Sequence, residues 1–96
     1  MPLDLIYEAR STSLHHGALP EFLEQIASGE YPGLHQPGGE VLRVMGTIIG
    51  APETDVLRVT AFKDISAWEA SAGSYERSPL VESESVRMMR PVAERP

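Results

Sequence analysis

Residues 3–14 constrain the fold first, because their alternation predicts a long strand whose two faces carry different chemistry. Gly17 then supplies a turn, and Pro20 suits the first turn of a helix, where its missing N–H is not needed. We therefore expect an amphipathic helix to follow this strand at once. One face of the strand is apolar and the other is mixed, with Leu5, Tyr7 and Ala9 on the first and Ile6, Glu8, Arg10 and Thr12 on the second.

Strand and helix periods alternate along the rest of the chain. Apolar residues recur at helical spacing in two segments, and two-residue alternation marks three further strands. The order β-α-β-β-α-β is the pattern of a ferredoxin-like sandwich, an α+β fold with an antiparallel four-stranded sheet and both helices on one face. We expect helices over residues 18–28 and 65–76, and strands over residues 3–14, 40–49, 55–63 and 84–92.

Capping residues mark the ends of both helices. Gly29 is expected to end the first helix, because glycine adopts the left-handed backbone at little cost. Either Asp64 or Ser66 caps the second helix, and Glu69 would complete a capping box with Ser66.

The composition restricts the class of protein and its partners. Ninety-six residues suit a single domain, expected to span residues 1–96, and the net charge of −6 argues against nucleic acid as a partner. The absence of cysteine excludes disulfides and thiolate metal sites, and it fits a cytoplasmic location. No apolar run approaches the ~18 residues of a membrane span, and no phosphate loop or ligand-like carboxylate cluster is present. We therefore expect no membrane, metal or cofactor.

The distribution of apolar residues over the two sheet faces predicts a homodimer. The purely apolar set of positions is expected beneath the helices, which leaves the other set on the open face. Six large apolar side chains on an open face exceed what monomers usually expose, so a second copy is expected to cover them and to pair with the arginines among them. The apolar set is Tyr7, Ala9, Leu42, Val44, Ile48, Leu57, Val59, Ala61, Val86 and Met88; the open set holds Ile6, Met45, Ile49, Val56, Phe62 and Met89 with Glu8, Arg10, Arg43, Arg58 and Arg87.

Several segments resemble NIPSNAP-type domains. Residues 6–10, Ile-Tyr-Glu-Ala-Arg, are similar to that family's first strand, which leads through a glycine turn into a helix. Residues 46–50, Gly-Thr-Ile-Ile-Gly, are similar to the end of its second strand. Residues 59–62 occupy the position of its Leu-Trp-x-Tyr-like strand, with Trp68 in the helix that follows.

The resemblance implies a dimeric α+β barrel. That superfamily also contains cofactor-independent monooxygenases, polyketide cyclases and haem-degrading enzymes. The NIPSNAP-type branch has no general assigned chemistry, and a shared fold does not fix a function.

Three aromatic residues are candidates for a substrate pocket between the second helix and the sheet. Monooxygenases of the superfamily hold an aromatic substrate in such a pocket, where Tyr7, Trp68 and Tyr75 would supply a stacking wall and hydroxyl groups. The alternative is that Trp68 and Tyr75 belong to the core stripe of an amphipathic helix.

A histidine and several arginines are candidates for transferring a proton or for stabilising a negative charge. His35 follows the first helix and is a candidate general base near neutral pH, with Arg10 as the second catalytic candidate. Arg43 and Arg58 are candidates for binding a carboxylate or enolate, as is Arg10. The alternative for each arginine is an interface ion pair, and for His35 an exposed or structural position.

Two functions of different class follow from these features. The first is a dimeric α+β barrel that binds, and in the enzymatic case turns over, a small aromatic or polyketide-like molecule by monooxygenase or cyclase chemistry. The second is a non-catalytic interaction or scaffold protein. A buried cavity of about 300 Å³ or more, with converging polar groups, would favour the first.

Overall fold

The structure is a computed structural model that describes residues 4–32, 34 and 36–92. Its elements follow the order that the sequence predicts. They are β1 (Ile6–Leu14), α1 (Leu19–Ser28), β2 (Gly39–Gly46), β3 (Asp55–Phe62), α2 (Ile65–Ala72) and β4 (Val81–Met89).

The four strands form one antiparallel sheet in the order β2-β3-β1-β4. The central pair is in continuous register, with Glu8 opposite Thr60 and Arg10 opposite Arg58. A ferredoxin-like βαββαβ sandwich is thereby confirmed as the fold class.

The helix caps behave largely as the sequence predicts. Gly29 closes α1 in the left-handed conformation at φ 77°. Asp64 caps α2, because its Oδ1 accepts a hydrogen bond from the backbone N–H of Ala67 at 2.9 Å. Of the two predicted caps for α2, Asp64 is therefore the one in use.

Several element boundaries differ from the predictions: β1 begins at Ile6 rather than at residue 3, β2 ends at Gly46 rather than at residue 49, and β4 ends at Met89 rather than at residue 92. Two further differences affect the residues of the site. Helix α2 ends at Ala72 rather than at residue 76, so Tyr75 lies in an irregular segment beyond the helix. Strand β4 begins at Val81 rather than at residue 84, because a bulge after Ser13 lets Leu14 pair with Val81. Within this strand Glu84 pairs with Thr12 of β1.

The hydrophobic core lies between α1 and the sheet. The Phe22 ring meets the Tyr31 ring edge-on, with the centroids 4.9 Å apart and the planes at 79°. The buried core residues are Leu14, Phe22, Tyr31, Val56 and Val81. Gly39 permits close packing at the start of β2, since a Cβ there would stand 2.8 Å from the Phe62 ring.

The predicted assignment of the sheet faces is wrong for the two central strands. The Trp68 indole donates a hydrogen bond to Glu8, and Phe22 of α1 packs in the cluster that contains Val56, so both helices cover the face that the sequence assigned to the outside. By the register, that covered face carries Ile6, Glu8, Arg10, Thr12, Val56, Arg58, Thr60 and Phe62, and the open face carries Tyr7, Ala9, Leu57, Val59 and Ala61.

The assignment of faces is correct for the paired residues of the outer strands, but Ile48, predicted to lie beneath the helices, follows the end of β2 and is 95% exposed. Val44 of β2 and Val86 of β4 face the helices, and Met45 and Met89 face the open side. The prediction failed for the central strands because alternation shows which residues share a face of the sheet, but not which face the helices cover. The charged residues lie beneath the helices because they pair with one another there.

The layer between helices and sheet is consequently divided in two. Beneath α1 it is apolar, and beneath α2 it holds a set of polar side chains that we call the polar cluster. Its members are Glu8, Arg10, Thr12, Arg58, Thr60 and Glu84 from the sheet, with Tyr31, Gln36, Trp68, Ser71 and Tyr75 from the helices and connecting segments.

Candidate functional site

Glu8 is the most fully bonded member of the polar cluster. Its side chain is completely buried, and its carboxylate accepts hydrogen bonds from Arg10 Nε at 3.1 Å and from Arg10 Nη2 at 3.2 Å. The Trp68 Nε1–H donates a third bond to it at 2.8 Å. A buried charge is tolerated when it is paired and hydrogen-bonded in this way.

Glu84 forms a second centre within the cluster. The Tyr75 hydroxyl lies 2.9 Å from both carboxylate oxygens of Glu84, and the Thr12 hydroxyl donates to Oε2 at 2.9 Å. Arg10 Nη1 reaches Glu84 Oε1 at 3.5 Å. Glu84 therefore holds the side chain of Tyr75, whose backbone N–H donates to the Ala72 carbonyl at 3.3 Å.

Arg10 joins the two carboxylates. Its guanidinium makes bidentate hydrogen bonds to Glu8 and a further hydrogen bond to Glu84. It also stacks over the Tyr75 ring, with Cζ 3.9 Å from the ring centroid. That distance is within the range of a cation–π interaction. Each of the three guanidinium nitrogens of Arg10 therefore has a hydrogen-bond acceptor within this chain.

Arg58 is bonded quite differently. It is only 4% exposed, and its Nε and Nη2 have no hydrogen-bond partner in the described part of the chain. Its Cζ lies 5.7 Å from the Tyr75 ring centroid and 5.9 Å from that of Tyr31, so its neighbours offer aromatic faces rather than acceptors. The two carboxylates of the cluster are both engaged by Arg10 instead.

Three further buried polar atoms accompany Arg58 without a partner among the described residues. They are the Tyr31 hydroxyl, Thr60 Oγ1 and Gln36 Oε1. Buried polar groups are nearly always satisfied by protein, water or ligand. Their concentration within one layer of the fold therefore indicates a site for a polar molecule.

The tyrosines of the cluster are held in their neutral form. Burial raises the pKa of Tyr31 to about 12, and the neighbouring Tyr75 and Glu84 add to the effect against the opposing charges of Arg58 and Arg10. Burial also raises the pKa of Tyr75, which Arg10 opposes and the hydrogen bond to Glu84 reinforces. Both hydroxyls are therefore proton donors at neutral pH.

A cavity of about 170 Å³ opens beside the cluster between α2 and the segment that follows α1. Gln36 and Ser71 hold one wall together, since Gln36 Nε2 donates to Ser71 Oγ at 3.2 Å, and Tyr75 forms part of the lining. The remaining lining residues are Pro32, Pro37, Ser74 and Glu76. Tyr75 thus belongs both to the cavity and to the surroundings of Arg58.

A larger groove, of about 710 Å³, runs along the β2–β3 hairpin. Met45, Leu57 and the two exposed isoleucines Ile48 and Ile49 contribute to its lining. Among the described members of the polar cluster, Thr12 alone lines this groove. The groove is therefore separate from the unpartnered polar atoms.

The structure brings four of the predicted site residues together and separates the others. Arg10, Arg58, Trp68 and Tyr75 all belong to the polar cluster. The prediction that Tyr7 converges with Trp68 and Tyr75 is wrong, because the alternation of β1 places Tyr7 on the open face. Burial there raises the pKa of Tyr7, and the charge of Asp4 adds to this.

Two more predicted residues lie outside the cluster. Arg43 is exposed, lies opposite Val59 on the open face and donates to the Leu42 carbonyl, which separates it from Arg10 and Arg58. His35 lies outside the described residues, so its proposed role as a base stays a prediction.

Several cluster members are absent from the predictions. Glu84 and Thr60 could have been found by extending the Arg10 face across the sheet, since Thr12 pairs with Glu84 and Glu8 pairs with Thr60. Tyr31 and Gln36 come from irregular segments, for which the sequence carries no periodic signal.

No group of three or more histidine, aspartate or glutamate side chains in residues 4–32, 34 and 36–92 is arranged to hold a metal ion. Neither α1 nor α2, the helices of the described chain, has the length and hydrophobicity of a membrane span.

Comparison with solved structures identifies the fold. A NIPSNAP family protein of unknown function from Agrobacterium tumefaciens superimposes with a TM-score of 0.74 at 20% identity, covering 95% of this chain and 91% of the other. A NIPSNAP-like domain protein from Burkholderia xenovorans gives 0.70 at 17% identity, covering 99% and 91%. No family model and no curated protein matches the sequence. The resemblance to NIPSNAP-type domains is confirmed at the level of the fold.

A further structural neighbour is the haem degrader MhuD of Mycobacterium tuberculosis, described with two haems in its active site. Its TM-score is 0.63 at 18% identity, with coverage of 93% of this chain and 97% of MhuD. The described residues here do not fit a haem, because charged side chains occupy the helix-facing side of the sheet and the adjacent cavity is about 170 Å³. The two described histidines, His15 and His16, are exposed in the turn between β1 and α1.

Proposed function

We propose that the protein binds a small, single-ring aromatic molecule between α2 and the sheet. The observation that carries the proposal is the group of buried, unpartnered polar atoms of Tyr31, Gln36, Arg58 and Thr60 beside a cavity. Leaving each such atom unsatisfied costs about 1–3 kcal/mol, so a molecule that bonds to several of them gains affinity from that cost.

The volume of the cavity limits the size of this molecule. About 170 Å³ corresponds to roughly five or six water molecules at about 30 Å³ each in the liquid. This volume is below the ~300 Å³ named above for a substrate pocket, the size at which sites for drug-sized ligands begin, so that criterion is not met. A single ring with one or two polar substituents suits this volume, whereas a multi-ring polyketide does not. The aromatic ring of Tyr75, one of the lining residues, favours a planar ligand.

Binding is tested by titrating single-ring aromatic compounds while following the fluorescence of Trp68, the only tryptophan. Trp68 is bonded to Glu8 within the polar cluster, so a ligand there is expected to change its emission. Isothermal titration calorimetry on the Trp68→Phe variant is the control, because heat is measured without the reporter. Absence of both signals across a panel of phenols, benzoates and benzamides would refute the proposal.

We also propose that the chain forms a homodimer through the open face of the sheet. That face carries Ala9, Leu57 and Val59, which are half-buried in the single chain, with Met45 and Met89 at 45% and 50% exposure on the outer strands; Tyr7 and Ala61 on the same face are already buried. At ~25 cal/mol per Å², covering a few hundred Å² of apolar surface contributes several kcal/mol before the cost of association. A second copy presents the same surface by symmetry.

Two matched variants test the dimer. Met45→Glu introduces a charge on the open face, and Ile65→Glu introduces the same charge at equal exposure, 46%, on α2. Sedimentation velocity is expected to give a dimer for the wild type and for Ile65→Glu, and a dissociation constant at least tenfold weaker for Met45→Glu. A monomeric wild type at micromolar concentration, or equal effects of the two variants, would contradict this interface.

Non-catalytic binding is the second candidate, and one observation favours it. Both cluster carboxylates, Glu8 and Glu84, are engaged by donors of the chain, which leaves neither free as a base. Turnover of the monooxygenase or cyclase type would then depend on His35, with Arg10 stabilising charge through its position between the carboxylates. Oxygen uptake and product formation with any compound that binds, compared between wild type and His35→Ala, distinguish the two. Turnover lost in His35→Ala with binding retained supports catalysis.

A further inference from the structure

We propose that Arg58 is the receptor for an anionic oxygen group, so that the ligand of this site is a small planar carboxylate or comparable acidic oxygen compound. This inference rests on the proposed binding function and names the chemical class of its ligand. It is carried by the unpartnered guanidinium of Arg58 together with its neighbours, rather than by arginine content alone.

The ion pairs of the polar cluster distinguish Arg58 from Arg10. The cluster holds two arginines and two carboxylates, but Arg10 makes ion pairs with both carboxylates, at 3.1 Å to Glu8 and 3.5 Å to Glu84. Arg10 and Arg58 are direct partners across β1 and β3, and like charges in that position repel. Arg58 therefore has no carboxylate of the described chain within ion-pair distance, and an anion supplied from outside would provide that partner.

The unpartnered atoms of Arg58 have the geometry to bind such an anion. Nε and Nη2 form one edge of the planar guanidinium, and both lack a partner in the described chain. This edge presents two parallel N–H groups, which match the two oxygens of a carboxylate. A cation is excluded by charge, and a neutral carbonyl uses only part of the edge.

The groups near Arg58 complete a site for a planar anion. Tyr31 and Thr60 each contribute a buried hydroxyl without a described partner, and the raised pKa of Tyr31 keeps its hydroxyl protonated as a donor. Tyr75, whose ring centroid lies 5.7 Å from Arg58 Cζ, is the residue that the surroundings of Arg58 share with the lining of the cavity. Glu76 at the cavity is exposed, and water screens its charge.

The test compares benzoate with benzamide, which has the same ring and shape but no charge. Calorimetric titrations are made on the wild type, on Arg58→Gln and Arg58→Lys, and on Arg43→Gln as a matched control from the exposed side of the sheet. We expect the wild type and Arg43→Gln to bind benzoate at least tenfold more tightly than benzamide. Arg58→Gln is expected to abolish that preference. Arg58→Lys is expected to retain a part of it, because the positive charge remains but the bidentate hydrogen-bonding edge of the guanidinium is lost.

The outcomes separate this inference from the proposed function. Equal binding of benzoate and benzamide by the wild type would overturn the role of Arg58 while leaving an aromatic site in place. Failure of both compounds and of the phenols of the panel to bind would overturn the proposed function itself, whereas binding of phenols alone would overturn only the role of Arg58. Where Arg58→Gln fails to fold by circular dichroism, Arg58→Lys carries the variant comparison, and an undiminished preference for benzoate in Arg58→Lys would overturn the role of Arg58.

Discussion

Replacing Glu8 by glutamine tests the polar cluster most sharply among single substitutions. The change keeps the size of the side chain but removes the charge that Arg10 binds through Nε and Nη2. Removing one partner of a buried ion pair costs about 3–5 kcal/mol. Because the amide oxygen of glutamine still accepts one hydrogen bond, for example from Trp68, we expect a loss of about 2–3 kcal/mol in the free energy of unfolding.

That loss is large for a chain of this size. At about 0.05–0.15 kcal/mol per residue, 96 residues give a total stability of roughly 5–14 kcal/mol. With a urea m-value of about 1–3 kcal/mol per molar, the midpoint of unfolding is expected to fall by about 0.7–3 M. Urea titrations followed by far-ultraviolet circular dichroism measure this shift without relying on the tryptophan.

The control is Glu82→Gln, on the same sheet but with an exposed side chain on β4. Substitutions of this kind usually change stability by less than about 0.5 kcal/mol. If Glu8→Gln cost no more than Glu82→Gln, the carboxylate of Glu8 would not be the buried partner of Arg10, and the covered face would have to be reassigned.

Three further predictions concern local packing, capping and pH. Gly39→Ala is expected to lower stability by about 1–3 kcal/mol, because its Cβ would stand 2.8 Å from a phenyl ring of β3, whereas Gly46→Ala on the same strand meets nothing within 4 Å and is expected to be neutral; urea unfolding of both variants checks this. Asp64→Ala should cost about 1 kcal/mol through the lost N-cap of α2, and Ser66→Ala much less, as measured by thermal unfolding. The folded-state pKa of Tyr31, about 12, exceeds its ordinary value of 10.0, so its contribution to stability is full below pH 10 and is lost as the pH rises toward 12. Tyr31→Phe is expected to unfold less steeply than the wild type with rising pH over this interval, and identical pH profiles would contradict the assignment.

The order of elements and the type of fold could be predicted from the sequence because they depend on local periodicity. Helix α1 shows the 3.6-residue spacing and the Gly29 cap, and the strands show two-residue alternation. The alternation also groups Glu8 correctly with Arg10, and the structure keeps them together. These features require no knowledge of what lies above the sheet.

The covered face of the central strands could not be predicted in the same way. A rule that places apolar residues inside predicts that Leu57 and Val59 lie beneath the helices. The ion pair between Arg10 and Glu84, from strands far apart in the sequence, allows the charged face to lie there instead. The bond between Trp68 and Glu8 spans 60 positions and decides the outcome, yet neither residue signals it. The same limit concealed Tyr31, which joins the site only through tertiary contacts.

The position of the Trp68 indole provides the most direct test of the central claim, namely that the charged face of the sheet lies beneath the helices. Because the chain contains one tryptophan, its indole N–H gives a single signal in a ¹H–¹⁵N correlation spectrum. A hydrogen bond to the buried Glu8 carboxylate predicts slow exchange with solvent and a clear displacement of that signal in Glu8→Gln, with no displacement in Glu82→Gln. Rapid exchange together with an unchanged signal in Glu8→Gln would contradict the account.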